Sequence, residues 1–363
     1  YDTPLVSFWP QFGKNGKEMV TIRHVLTHSA GLQHVLPDSP TLDDICDWEK
    51  MVLTLEEASP VWTPGSRASY HYFTFGWLVG ACVEKITQRR FYDYLREEIL
   101  VPLGIEDDVF FGDVLKHGVH CERIASVEMA SLPQGMGEDP LGMIENEDSA
   151  LEGDIAGVNG EEKPPAQRGF LHMMAEAIKA EDPQEGTALE ELATKLTQRE
   201  YLLDPRLFNS KQVQNACIPS ANGLFTARGL AALHNSFLSS LGVLDGAGGK
   251  CVLSEDCVNE FRSYAVSDSS ATHRLFGMQN RLRFGLGCQL FGFREETKGE
   301  RIRLSGFGHV GMGGSVAVCD PASKMSFAMT VNKIVSGRKA TVDVFSLVCT
   351  ELKVGAPAAL FSA

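Results

Sequence analysis

The side chains best suited to chemistry fall in two stretches far apart in the chain. The first is Tyr70-His71-Tyr72, which follows a Pro64-Gly65 turn and opens onto an apolar run. A phenolic hydroxyl can pass a proton, and a turn at the mouth of a buried helix holds such a group rigidly over a cleft. The second surrounds His309: five of the ten residues from Gly306 to Ser315 are glycine. Glycine lets a backbone approach another group closely. A glycine-rich strand with one outward polar side chain could therefore wall an acyl-transfer site, its N–H groups aimed where a tetrahedral oxyanion develops. Each stretch also has a plainer reading. Tyr70 and Tyr72 suit amphipathic packing with hydroxyls at the rim, and the glycines suit a hairpin or bulge with His309 solvated.

A third set is His24 and His28, four apart, with His34 beyond. That spacing can bind zinc on a helix, but no glutamate or third ligand follows in a recognised pattern. Hydrogen-bonded structural histidines are expected there, and no metal or cofactor.

Several elements must position these groups. Thr21 caps a short helix over residues 22–27, ended by Ser29-Ala30-Gly31. Asp43-Asp44 begin a helix, and Thr54-Leu55-Glu56-Glu57 has the form of a capping-box start before Pro60. Gly76, Trp77, Leu78, Gly80, Ala81 and Val83 are spaced as a buried helix. Residues 91–100 form another helix, stopped by Pro102-Leu103-Gly104. Helical patterns follow at 170–180, 188–203 and 226–241. Strand patterns then take over at 283–293, 301–304, 315–319 and 326–332, with Asp320-Pro321 turning between the last two. Residues 341–352 close the chain as an amphipathic helix. Helices followed by an antiparallel sheet and a terminal helix amount to an α+β fold with two lobes.

Composition narrows the function. The 363 residues are 44% hydrophobic and 22% charged, enough for a sizeable core. A net charge of −14 without a basic run argues against nucleic acid as a partner. No apolar run is long enough to span a bilayer. Nine scattered cysteines without framework spacing point to free thiols and favour an intracellular or organellar setting. Residues 129–165 carry many acids among glycines and prolines with few aromatics, the composition of a flexible insertion.

Four ordered segments resemble one family. Thr21-Ile-Arg-His-Val-Leu-Thr-His-Ser-Ala-Gly-Leu32 is similar to the ITIRHLLTHTSGL segment of serine β-lactamase-related proteins, which include class C β-lactamases, penicillin-binding proteins and related carboxylesterases. Trp62-Thr-Pro-Gly-Ser-Arg-Ala-Ser-Tyr70 resembles the approach to their Tyr-x-Asn motif. Asn222-Gly-Leu-Phe-Thr-Ala-Arg228 resembles a mid-chain segment, and His309-Val-Gly311 stands where the family has Lys-Thr-Gly or His-x-Gly. The resemblance implies one β-lactamase/transpeptidase-like domain over residues 1–363, an antiparallel sheet flanked by helices plus a helical lobe, incomplete at its amino end. It implies Tyr70 and His309 as catalytic groups, with Gly311 and the Met312 amide at the oxyanion and Tyr72 facing substrate.

Two departures shape the expected function. Tyr72 replaces the motif asparagine and cannot offer an amide to an acyl side chain, which favours an ester over a penicillin-like substrate. The family's Ser-x-x-Lys nucleophile motif would lie before Tyr1. The chain's own Ser336-Gly-Arg-Lys339 comes after the third motif and is taken as coincidence. The expectation is a serine-hydrolase-like domain acting by acyl transfer on a small ester or amide. The alternative is an inactive binding or regulatory module. Residues 70–78 also resemble the β-lactamase-like domain fused behind UbiB-type atypical kinases, which implies a fused kinase domain upstream.

Overall fold

The computed structural model describes residues 1–112, 121–129, 178–179, 182–196, 199–244, 250–263, 265–267, 283–294, 301–335 and 338–357. Apart from Met129, the acidic stretch 129–165 lies outside the described residues, as do most of 170–180 and Ser336 itself.

The helices that matter to the site are α1 (Ile22–Leu26), α2 (Trp48–Glu57), α3 (Thr74–Thr87), α4 (Pro183–Lys195), α5 (Ala227–Ser240) and α6 (Lys339–Leu352). One sheet dominates the carboxyl-terminal third. Its strands are β1 (Val266–Ser267), β2 (Arg283–Phe284), β3 (Gln289–Arg294), β4 (Ile302–Val310), β5 (Val316–Asp320) and β6 (Met325–Met329). They pair in chain order, every neighbour antiparallel.

Both faces of this sheet are covered. Phe291, Phe293, Val316 and Val318 share a cluster with Phe345 and Cys349 of α6. Leu290, Phe307 and Cys319 pack instead with Leu238 of α5. Side chains alternate across a strand, so His309, two residues from Phe307, lies on the α5 side. Phe345 stacks on Phe327 at 4.1 Å, locking α6 to the sheet.

The helical lobe has its own core, built on Trp9, Phe12, Met51, Leu55, Trp77 and Leu189. Its central helix, α3, passes very close to its neighbours. A Cβ on Gly76 would sit 2.5 Å from the Ser220 nitrogen, and one on Gly80 2.5 Å from the Trp48 ring. Lys17 is fully buried at the carboxyl end of α2, where its ammonium donates to the carbonyls of Glu56 (3.0 Å) and Ala58. A cation at that end satisfies carbonyls the helix leaves unpaired.

Several boundaries differ from expectation. The helix expected over 188–203 starts earlier, at Pro183, and stops at Lys195. Thr54 starts no helix: it lies inside α2 and bonds back to the Lys50 carbonyl at 2.8 Å, while Asp47 supplies the cap. Pro102 does not stop the 91–100 helix. A π turn over Arg96–Leu100 leads into Val101–Leu103, and left-handed Gly104 ends it.

Candidate functional site

Tyr70 arrives on the segment that enters α3. That segment runs beside residues 28–31: Gly65 N–H donates to Ser29 O and Ser69 N–H to His28 O, both at 2.9 Å. Two buried histidines complete the attachment. His71 Nδ1 bonds the Ser69 carbonyl at 2.6 Å, and its Nε2 accepts from Leu32 N–H at 3.1 Å. A carbonyl only accepts and an amide only donates, so His71 is the neutral Nδ1–H tautomer. His28 Nδ1 in turn accepts from His71 N–H at 3.2 Å. Burial pulls the His71 pKa down to about 4 and holds His28 well below its usual value. His28 is left-handed (φ 56°) just beyond α1, and its ring lies against that of Tyr70, 5.0 Å between centroids.

The Tyr70 ring stacks on Phe284 of β2 at 5.9 Å and 6°. Burial among these rings pushes its phenol up to about 12, so Tyr70 keeps its proton near neutrality. Its hydroxyl lies 3.0 Å from His309 Nε2. The two residues the sequence singled out as catalytic are therefore in direct contact.

His309 is fixed by strand register, opposite Ala317 of β5. Gly308 makes this possible: its φ is +153°, and a Cβ there would lie 2.1 Å from the Ala317 carbonyl oxygen. The imidazole is reached by solvent along one side and enclosed by protein on the others. That enclosure, and next the Arg338 guanidinium, hold its pKa below the ordinary value, and water at the open side limits the size of the effect.

Beyond His309 the chain turns sharply. Gly311 N–H donates to Ser315 O at 2.7 Å, and Gly313 and Gly314 have positive φ. Thr341 of α6 pins the turn by donating to the Gly314 carbonyl at 2.6 Å. The Gly311 amide is thus engaged within the turn, and Met312 follows it in a short helical turn, Met312–Gly314. Tyr72, expected beside substrate, packs its ring near Phe73 (5.0 Å) and His34 (6.1 Å) against the helical core. Burial raises its phenol well above the usual value.

The three early histidines separate. His24 Nδ1 accepts from Thr21 N–H in the cap of α1, His28 lies under Tyr70, and His34 bonds Glu185 at 3.0 Å. Among the described residues no group of three or more His, Cys, Asp or Glu side chains is placed to hold a metal ion. A cleft of about 500 Å³ lies nearby, lined by His24, Arg67, Ala68 and Glu260 among others, but it includes neither Tyr70 nor His309. Sequence reasoning missed Arg338, whose charge acts on His309, and missed His28 and His71 as supports of Tyr70. The His28-Ser29 and Ser69-Tyr70-His71 segments carry no periodicity that would have aligned them.

Residues 1–345 match the Beta-lactamase family. The chain belongs to that family. The esterase/beta-lactamase LipL of Mycobacterium tuberculosis is 27% identical over 340 residues, which are 93% of this chain and 64% of that protein. Beta-lactamase-like protein 2 of Dictyostelium discoideum is 28% identical over 123 residues, 32% of this chain and 22% of that protein. The chain thus spans less than two thirds of the length of these relatives. Among solved structures, EstA from Arthrobacter nitroguajacolicus superposes with a TM-score of 0.64 at 20% identity, covering 97% of this chain and 77% of that one. A penicillin-binding protein homologue from Caulobacter crescentus gives 0.59 at 24% identity, covering 92% and 71%. These likenesses establish the β-lactamase/transpeptidase-like fold expected from the sequence. Among the described residues no helix is long and apolar enough to cross a membrane.

Proposed function

We propose that this chain is the larger part of a serine hydrolase that acts by acyl transfer on a small ester or amide, with esters favoured. The observation that carries the reading is the 3.0 Å contact between Tyr70 Oη and His309 Nε2, made across the boundary between helical lobe and sheet. With its phenol pushed up to about 12, Tyr70 acts as a proton relay and not as a preformed phenolate. It takes the proton of an attacking hydroxyl as it gives its own to neutral His309, and the same path run backwards protonates the leaving group. Since the Gly311 amide is engaged with Ser315, the Met312 N–H is the oxyanion donor from this turn. Tyr72 offers no amide to an acyl side chain, which favours esters over penicillin-like amides.

The nucleophile is supplied by a Ser-x-x-Lys outside these 363 residues. Lys339 of the internal Ser336-x-x-Lys339 is 84% exposed and paired with Asp343 at 2.6 Å, poorly placed to activate a serine. A binding module that keeps the cleft without the chemistry is the competing reading, favoured by the absence of any other Ser-x-x-Lys in the sequence. The relatives' names lend no support to a fused kinase domain. Free thiols at Cys82, Cys288, Cys319 and Cys349, all buried, fit an intracellular or organellar setting.

Labelling with a fluorophosphonate tests the reading. The 363-residue chain takes no label, and the full-length protein takes one label on a serine upstream of Tyr1. Label on Ser336 would move the active site to the carboxyl-terminal segment. No label on the full-length protein with any acylating probe leaves the binding module as the function.

A further inference from the structure

The first turn of α4 grips the segment that carries Tyr70 at two points. Asp182, the N-cap of α4, pairs with Arg67, one of whose nitrogens donates at 3.0 Å. One turn further, Glu185 is fully buried. Its Oε1 accepts from Ser69 Oγ at 3.2 Å and from His34 Nε2 at 3.0 Å, and its Oε2 from Gln33 Nε2 at 3.0 Å. Removing a carboxylate from water is costly unless several donors replace the solvent. Here the donors come from two segments more than 100 residues upstream of Glu185, and one is the hydroxyl of Ser69, the residue before Tyr70. Ser69 is itself fully buried, and its carbonyl accepts from His71 on the other side of Tyr70.

We infer that Glu185 is a positioning residue for Tyr70: its carboxylate fixes Ser69, and thereby the height of the Tyr70 hydroxyl over His309. The inference rests on the Tyr70–His309 reading but not on hydrolysis itself. Glu185 touches no reacting atom. It draws residues 33, 34 and 69 to one point, so the backbone on which Tyr70 stands cannot slide along residues 28–32. Glutamine at this position keeps the shape but removes the charge, so the bonds from Ser69, His34 and Gln33 lose their charge assistance.

The test uses the full-length protein and reads the His309 imidazole by NMR titration, its resonance assigned by loss in His309→Gln. Tyr70→Phe sets the scale, because it removes the hydroxyl from Nε2; one hydrogen bond corresponds to a shift of roughly 0.5–1 pKa unit. Glu185→Gln is expected to shift His309 in the same direction by at least half as much, and Ser69→Ala, the milder variant, to do likewise. Glu84→Gln is the control: Glu84 also accepts two N–H groups in the helical lobe, from Trp48 and Phe91. It should lower the melting temperature and leave His309 unmoved. If Tyr70→Phe shifts His309 while Glu185→Gln and Ser69→Ala only lower the melting temperature, Glu185 is a structural residue and the inference fails alone. If Tyr70→Phe leaves His309 unmoved, the contact itself fails and takes the functional reading with it. Should Glu185→Gln not fold, Ser69→Ala decides between the same outcomes.

Discussion

Tyr70 and His309 meet from two regions that hold their side chains by different means. On the helical side, Tyr70 is fixed by buried polar contacts: His71 to Ser69 and Leu32, His28 to His71, and Ser69 to Glu185. On the sheet side, His309 is fixed by backbone register, with Gly308 allowing β4 and β5 to close on each other. The first region is therefore sensitive to protonation and the second to volume.

The largest effect is expected where the regions meet. In the full-length protein, Tyr70→Phe should slow turnover by roughly 10²–10⁴-fold, the range for losing a positioned acid–base group. Steady-state kinetics should show it mainly in kcat, with little change in fold because the ring is kept. A loss below tenfold would mean that the phenol is a packing residue after all.

Breaking the sheet side calls for a methyl group. Gly308→Ala puts a Cβ 2.1 Å from the Ala317 carbonyl oxygen at a φ of +153°. A cost on the order of 3 kcal/mol is expected in urea unfolding, from strained backbone and a displaced strand. Gly311→Ala is a useful partner, since its φ is ordinary and the nearest atom to its Cβ would be 3.5 Å away. Equal costs for the two would show that register does not depend on Gly308.

The helical side should break with acid. The pKa of His71 is lowered to about 4, chiefly by burial, and that of His28 is lowered as well. An unfolded histidine titrates near 6.5. Between those limits the unfolded chain binds protons that the folded chain refuses, so stability is complete above about pH 6.5 and falls as the pH drops. Between pH 7 and pH 5, His71 alone should cost on the order of 2 kcal/mol. Urea midpoints across that range measure the slope, and His71→Asn should remove part of it. A slope unchanged in that variant would place the acid sensitivity elsewhere.

The smallest effect sharpens the assignment of the nucleophile. The Lys339–Asp343 pair is exposed and screened by solvent, so Lys339→Ala should change stability by less than about 0.5 kcal/mol. It should also leave hydrolysis by the full-length protein unchanged. A large loss of activity would revive Ser336-x-x-Lys339 as the catalytic pair.

Much of the fold was legible in the chain. The apolar spacing around Trp77 marked α3, the Thr21 cap fell where α1 begins, the 226–241 pattern became α5, and the 315–319 and 326–332 patterns became β5 and β6. These features are local: capping hydroxyls and short-range periodicity act within a turn or a strand, so residue order alone encodes them. The family segments also singled out Tyr70 and His309. Residue order could not supply their contact, which joins positions 239 apart. Nor could it send Tyr72 to His34, bury Glu185 beneath Ser69, or bring Arg338 near His309. Those outcomes depend on how irregular segments, lacking any repeat to orient their side chains, pack against one another. Only the closed tertiary structure, where each buried polar group must find a partner, decides that.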